Sequence, residues 1–356
     1  MSHTLPLPEF THERVEVITG RRSGLFIAVA LHSSVLGSAL GGARLWTYPH
    51  WSDALGDALR LSAAMTLKNA TAGLDAGGGK SVIGLEEGTV LDAERRRDAF
   101  LDLGVAVESF GGLYRTAEDV GSTMDDMAVV GERTAHVVGL PDAAGGSGEP
   151  AGPTSLGVYE SLRAVLERTT GTGDVAGRRI TISGLGQVGG RLALRLSAEG
   201  AILTVTDVNP ARRHLAGELG ATWAEPGTEH LASSDVFVPA GIGGLLTDEV
   251  IDALDTRAVC GPANNPLANH DGADRLASRG ILYAPDFVVN AGGVIYLDNE
   301  AKQRGTREEI MGQVAQIGDT VRRILADAEE RGITPLAAAE ELASERLRAG
   351  APALAG

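Results

Sequence analysis

Two lysines, Lys68 and Lys80, stand twelve residues apart, and the second follows directly on Gly77-Gly78-Gly79. A surface lysine needs no such setting, because water solvates its ammonium. Three consecutive glycines strip the backbone of side chains, so a substrate or another chain segment can approach closely. A lysine there can clamp a carboxylate as a point charge, and two neighbouring ammonium groups depress one another's pKa. A lysine weakened in this way can act as a general base near neutral pH. The competing reading is a flexible glycine turn ending in a solvated lysine, since glycine clusters mark loops. The segment alone does not choose between the two.

A second constellation lies a hundred residues on. Arg179-Ile180-Thr181-Ile182-Ser183 reads as a short buried strand and runs into Gly184-Leu185-Gly186-Gln187-Val188-Gly189, with an apolar helical pattern through Leu192, Leu194 and Leu196. This is G-x-G-x-x-G in the strand–turn–helix setting that gives the motif meaning. Gly184 permits the tight turn, Gly186 lets backbone approach a pyrophosphate, and Gly189 lets helix pack on strand. The helix opening at Gln187 and Val188 offers free N–H groups to the anion. A further strand, Ile202-Leu203-Thr204-Val205-Thr206, ends at Asp207, near the spacing expected of a ribose-binding acid. Its carboxylate would accept hydrogen bonds from ribose hydroxyls and repel a 2′-phosphate, which favours NAD over NADP. Arg212 and Arg213, just beyond, leave the strictness of that preference open.

The elements that must carry these groups follow from the whole chain. Its 356 residues, 43% of them hydrophobic, suit an α/β protein of two domains with ample core. A formal charge of −16 argues against a nucleic-acid partner, which would call for a basic face. Cys260 is the only cysteine, so no disulfide framework and no cysteine zinc cluster can form within the chain. His3, His12, His32, His50, His136, His214, His230 and His270 show no metal spacing, and no metal is expected. The start lacks a signal-peptide pattern, and no segment approaches the roughly 18 apolar residues of a membrane span. A cytoplasmic protein is the expectation.

Leu25, Ile27, Val29 and Leu31 alternate as in a half-buried strand. Asp53 to Leu67 and Glu94 to Phe110 have helical spacing, the former placing Lys68 near a helix C-terminus. Residues 142–153, small, polar and rich in turn formers, are the best candidate linker. Beyond it helices alternate with short apolar strands at Asp235–Pro239, Ala258–Gly261 and Ile281–Ala284, the pattern of a doubly wound parallel sheet. Ile310, Val314, Ile317, Val321 and Ile324 mark one face of a single helix.

A series of blocks in order gives the chain a family likeness: Leu40-Gly41-Gly42-Ala43-Arg44, the two lysine blocks, Thr116 to Gly121, the glycine fingerprint, and Ala263-Asn264-Asn265 with Asn290 to Val294. The chain resembles the amino-acid dehydrogenases related to glutamate dehydrogenase, most closely the leucine, valine and phenylalanine branch. The resemblance implies an N-terminal substrate domain with a mixed sheet, residues 1–140, completed by C-terminal helices from about 325 to 356. It implies a Rossmann-type NAD-binding domain over 141–324 and an active site in the cleft between them. Catalysis there would require the cleft to close and exclude water, with the linker glycines near 145–152 and the return toward the tail helices as hinges. It also implies a homo-oligomer of undetermined number, with no nucleic-acid or membrane partner.

The implied reaction is reversible oxidative deamination of an L-amino acid to a 2-oxo acid and ammonia. Lys68 would clamp the α-carboxylate, helped by Gly41 and Gly42; Lys80 would activate water; Asp119 would shuttle protons at the amino group. Asn264 would lie near the substrate amino acid and the nicotinamide ribose, while Thr154 and Asn290 would orient the nicotinamide. Pocket positions fall at Leu40, Ala117, Val294 and Leu297, of which Leu40 and Ala117 suit leucine, valine or isoleucine. Phenylalanine or tryptophan stands as the alternative substrate, and a silent NAD-binding regulatory protein as the alternative class. Ala43, where the family usually has threonine, and Pro239-Ala240-Gly241 depart from the pattern without removing a catalytic side chain. Glu118, Asp125 and Asp126 read as solvated or capping charges.

Overall fold

The structure, a computed structural model, describes residues 10–141, 149–241, 243–269 and 271–350. These divide into two compact units, the first holding 1–149, 297–304 and 343–356, the second 150–296 and 305–342. Most of the expected linker, 142–148, lies outside the described residues, as do His3 and His270.

The first unit contains strands β1 (Arg14–Thr19), β2 (Phe26–Ser33), β3 (Ala39–Tyr48), β4 (Gly78–Glu86) and β5 (Tyr114–Glu118), with helices α1 (Trp51–Thr71), α2 (Ala93–Glu108) and α3 (Met124–Gly131). The sheet order is β1-β2-β4-β3-β5. β1 and β4 flank β2 antiparallel, whereas β3 runs parallel to both β4 and β5, so the sheet is mixed. Successive side chains on a strand point to opposite faces. Ile27, Val29, Leu31 and Ile83 join Phe100, Leu103 and Val107 of α2 and Met127 and Val130 of α3 in one core. Ala28, Ala30 and Val82 pack with Ala54, Ala58 and Leu59 of α1 on the other face. β2 is therefore buried on both faces rather than half-buried: helices cover the sheet on each side, and the small alanines let α1 lie close.

The second unit contains β6 (Arg179–Ser183), β7 (Ile202–Thr206), β8 (Thr222–Trp223), β9 (Ser234–Pro239), β10 (Thr256–Val259) and β11 (Leu282–Tyr283). Its helices begin with α4 (Ala151–Thr170), α5 (Gln187–Ala198), α6 (Arg213–Glu218), α7 (Asp248–Ala253), α8 (Gly272–Ser278) and α9 (Asp286–Val289). There follow α10 (Gly292–Ala301), α11 (Arg307–Ala315), α12 (Ile317–Arg331) and α13 (Pro335–Gly350). The six strands run parallel in the order β11-β10-β9-β6-β7-β8, the doubly wound arrangement. The strand order reverses between β6 and β9, and the ends of such strands are where open α/β sheets bind ligands.

Two expectations for the C-terminal third need correction. The apolar stripe 310–324 belongs to two helices, α11 and α12, parted at Gln316, although all five of its residues are buried. The return to the first unit is made by 297–304 and 343–350, not by everything from 325 on. The packed face of α12, Val321, Ile324, Leu325 and Ala328, is buried within the second unit, where α12 lies against α4. The returning segments are tied to the first unit by polar contacts. Arg115 meets Asp298 at 2.7 Å, Lys302 Nζ donates to the Asp75 carbonyl at 3.0 Å, and Arg346 Nη1 donates to the Ala70 carbonyl at 2.8 Å.

Candidate active site

Lys80 lies within β4, not at the end of a flexible turn. The glycines before it leave room for neighbouring protein. A Cβ on Gly78 would collide with the backbone and hydroxyl of Thr66 on α1, and one on Gly79 would come within 2.5 Å of the Tyr114 ring. Asn69 of α1 secures the same place by donating from Nδ2 to the carbonyls of Leu40 (3.2 Å) and Gly77 (2.6 Å). Helix α1 thus lies against the floor that carries Lys80. Lys68, in the last turn of α1 where its charge complements the helix dipole, is buried as well.

β3 and β4 pair in register from Leu40–Gly78 through Arg44–Val82. Gly42 therefore sits beside Lys80, and a Cβ there would lie 3.2 Å from Lys80 Nζ and 2.7 Å from Asp119 Cβ. Asp119 follows β5 directly, and its Oδ2 lies 2.9 Å from Lys80 Nζ. On the same Oδ2 converges Arg44 Nε at 3.1 Å, while Arg44 Nη1 reaches Asp57 Oδ2 on α1 at 2.9 Å. Tyr48 donates its hydroxyl to Asp57 Oδ2 at 2.6 Å, and Arg60 takes the other oxygen. The structure thereby adds Arg44, Asp57 and Tyr48 to the residues read from sequence. The signal available for Arg44 was its strand parity with Gly42; nothing local marked Asp57.

Burial pushes the Lys80 ammonium below the usual lysine range; Asp119 opposes the shift and Arg44 adds to it. Burial, rather than a second lysine, leads. For Asp119 burial works upward, but Lys80 and Arg44 outweigh it and hold the carboxyl down at about 2. The pair is thus a firm carboxylate beside an ammonium that gives up its proton more readily than an exposed one. Glu118 next door is raised by burial and by the charges of Glu149 and Asp119. Asp126 is no solvated charge: it completes the capping box of α3 with Thr123 and binds Arg96. Asp125 is exposed.

Of the other residues expected around a substrate, Leu40, Ala117 and Leu297 are buried in the first unit. Gly41 faces the Gly79 backbone, whose carbonyl carbon would stand 2.7 Å from an added Cβ. Gly41 and Gly42 thus make room for the strand and for the Lys80–Asp119 ion pair. Val294 belongs to the second unit.

In the second unit the fingerprint takes the expected form. Gly184 has φ +114 and turns against the backbone of Ala240; a Cβ on Gly189 would strike the Gly184 carbonyl. Gly186 caps α5 with no side-chain hydrogen bond, and a Cβ on it would meet open space. The first N–H groups of α5, from Gln187 and Val188 on, thus form an uncapped cradle suited to an anion. Asp207 accepts from the N–H groups of Leu185 (2.7 Å) and Asn209 (2.8 Å), which fix its carboxylate beside the turn. Asn290 Nδ2 donates to Asn264 Oδ1 at 2.9 Å and to the Pro262 carbonyl at 3.1 Å, while its own Oδ1 is buried without a partner. Asn265 adopts φ 49, and Asp286 accepts its N–H at 2.8 Å. Thr154, on the first turn of α4, lies against Gly293 and donates to the Pro150 carbonyl at 2.9 Å. An uncapped helix start, an oriented carboxylate and an orphaned amide oxygen fit a dinucleotide with a carboxamide-bearing ring.

Among the described residues, no group of three or more His, Cys, Asp or Glu is placed to hold a metal ion. No helix among them is long and apolar enough to cross a membrane.

Residues 11–136 match the profile described as Glu/Leu/Phe/Val dehydrogenase, dimerisation domain, and residues 213–352 the profile described as Glutamate/Leucine/Phenylalanine/Valine dehydrogenase. The chain is 38% identical to the leucine dehydrogenase of Bacillus cereus, over 96% of its own length and 92% of that protein's. It is 41% identical to the valine dehydrogenase of Streptomyces albus, over 94% and 92%. Among solved structures, the L-tryptophan dehydrogenase of Nostoc punctiforme superposes with a TM-score of 0.79 at 35% identity, covering 96% of this chain and 97% of that one.

Proposed function

The chain belongs to the glutamate/leucine/phenylalanine/valine dehydrogenase family, and from that premise we propose that it catalyses the reversible NAD-dependent oxidative deamination of a branched-chain L-amino acid to its 2-oxo acid and ammonia. The observation that carries the reading is the pair of buried Lys80 and partly buried Asp119, 2.9 Å apart on the floor of the first unit. A solvated or structural lysine requires neither that burial nor the glycine that makes space for it.

When bound, NAD accepts the substrate's α-hydrogen as a hydride. The chain's own residues supply the rest. Lys68 pairs with the α-carboxylate and fixes the substrate's orientation. Hydride loss from the unprotonated amine lets the nitrogen lone pair form a carbon–nitrogen double bond, and neutral Lys80 takes a proton from water as the water oxygen bonds to that carbon. Lys80 passes this proton by way of Asp119 to the amino nitrogen. The carbon–nitrogen bond then breaks, ammonia leaves with the electron pair, and the hydroxyl proton returns to Lys80 as the carbonyl forms. A base whose pKa lies nearer neutrality than an exposed lysine's suits both deprotonations. In the second unit, the N-terminus of α5 would hold the pyrophosphate, Asp207 the ribose hydroxyls, and Asn290 Oδ1 an N–H of the carboxamide. Asn264 and Thr154 would complete the setting of the ring.

Support for a branched-chain substrate comes from Leu40, Ala117 and Leu297, all buried, and from leucine and valine dehydrogenases at 36–41% identity. Phenylalanine and tryptophan are the second reading, favoured by a phenylalanine dehydrogenase of Bacillus thermotolerans at 37% and the tryptophan enzyme at 35%. The proposal includes assembly as a homo-oligomer, supported by the match named for dimerisation, and a cytoplasmic setting.

The test is NADH absorbance with purified protein, NAD and a panel of L-amino acids at mildly alkaline pH, with Lys80→Ala alongside. Turnover of leucine, valine or isoleucine that falls by about 10²–10⁴ in the variant is the expected result. Turnover of aromatic substrates alone would overturn the substrate class and keep the reaction. Absence of turnover together with NADH binding would favour a regulatory protein.

A further inference from the structure

β3 presents three residues of one parity, Gly42, Arg44 and Tyr48, on the sheet face that α1 covers. Gly42 makes room for the acid–base pair. Arg44 bridges Asp119 Oδ2 at 3.1 Å and Asp57 Oδ2 at 2.9 Å, and Tyr48 and Arg60 hold Asp57. The run Lys80, Asp119, Arg44, Asp57 alternates in charge, with side-chain exposures of 6, 15, 16 and 12%, so water screens it little. One planar guanidinium spanning two carboxylates is a geometry lysine cannot reproduce. Lys80 and Arg44 both make their contact with Asp119 at Oδ2, at 2.9 and 3.1 Å.

We propose that Arg44, seated by Asp57 and Tyr48, is a positioning residue for the deamination: it pins Asp119 by Oδ2 so that Oδ1 is presented to the substrate's amino group. This rests on the function proposed above. Arg44 touches no reacting atom and acts through Asp119. Its fixed positive charge also disfavours protonation of Lys80, whereas the Asp57 carboxylate favours it. Beyond these groups, Glu118 and Tyr114 of β5 also sense the charge of Asp119.

The two charges predict displacements of opposite sign, which a merely structural role would not produce. The experiment compares wild type, Arg44→Gln, Arg44→Lys and Asp57→Asn by the pH profile of kcat/KM. A second, turnover-independent readout is the pH dependence of Lys80 acetylation by trace acetic anhydride, read by peptide mass. Arg44→Gln is expected to lower kcat about 10–100-fold with KM changed less than about threefold. It should also move the acid limb and the Lys80 acetylation midpoint upward by about one pH unit. Asp57→Asn should move both downward, and Arg44→Lys should recover the midpoint but only part of kcat. Shifts of the same sign in Arg44→Gln and Asp57→Asn, or kcat losses with unmoved midpoints, would overturn the proposal. If Arg44→Gln fails to fold, the sign for Asp57→Asn decides alone. A wild type without turnover would sink the function reading, and the acetylation midpoints would still judge Arg44.

Discussion

Gly42→Ala tests the geometry of the site with a single methyl group. Gly42 is not among the glycines with positive φ, so alanine adds no backbone strain and the effect is steric. The added Cβ would stand 2.7 Å from Asp119 Cβ, 3.1 Å from the Glu118 carbonyl and 3.2 Å from Lys80 Nζ. Ordinary contact at a Cβ begins near 3.4 Å, so Asp119 must retreat by about 0.7 Å. Lys80 can yield as the end of a flexible side chain; Asp119, fixed by Arg44 and by the strand behind it, cannot yield without losing its contacts of 2.9 and 3.1 Å. Overpacking of this kind costs about 1–3 kcal/mol of stability. Displacement by about 1 Å at a reacting group costs about 10²-fold in rate. We therefore expect a folded enzyme with kcat/KM down about 10²-fold and a melting temperature lower by roughly 2–12 °C, at about 2–4 °C per kcal/mol. The assays are NADH absorbance and thermal denaturation. Gly41→Ala is the counterpart, since its Cβ would enter the Gly79 backbone, and there stability should fail before activity can be judged. Gly42→Ala with kcat/KM within threefold of wild type would mean that Asp119 holds no critical position.

Gly186→Val makes the opposite case. A Cβ there meets open space and φ is −67, so the fold should tolerate valine with a melting temperature within about 2 °C of wild type. The bulk would nonetheless occupy the approach to the uncapped N-terminus of α5. NADH affinity, followed by fluorescence titration, should fall at least about tenfold; unchanged affinity would move the dinucleotide elsewhere. In acid, Asp119 should dominate a local loss of stability. Its folded carboxyl lies at about 2 against an ordinary 3.8, so its contribution is complete above pH 3.8 and disappears as pH falls through about 2. That contribution is about 2 kcal/mol. Urea unfolding between pH 5 and 2 should therefore fall more steeply for wild type than for Asp119→Asn, and parallel curves would discount the pair.

Local patterns carried far in this chain because several functions depend on backbone alone. The fingerprint was readable because Gly184, Gly186 and Gly189 each answer a different steric demand within six residues. Lys80 stood out by its glycines, yet their purpose was hidden: they admit Thr66 of α1 and Tyr114 of β5, contacts that only the folded sheet creates. Asp57 was unreadable for the same reason, being an unremarkable acid on a helix until β3 brings Arg44 to it. Periodicity marked residues 310–324 as buried but could not reveal the break at Gln316, since two helices in sequence can share a stripe. The half-buried pattern of β2 misled because alanine reads as neutral in an alternation, while Ala28 and Ala30 are as buried as the isoleucine beside them.

The contact of Arg346 with the Ala70 carbonyl spans 276 residues and ends two residues from Lys68. A ribosome releases the strands of the first sheet early, but the guanidinium that ties down the end of the lysine-bearing helix emerges only after every strand of the second sheet. A chain broken off before residue 346, or trimmed there by a protease, would keep every catalytic side chain named above and lose that fastening. The first unit is therefore complete only after synthesis has passed through the whole of the second, because its closing segment follows residue 342.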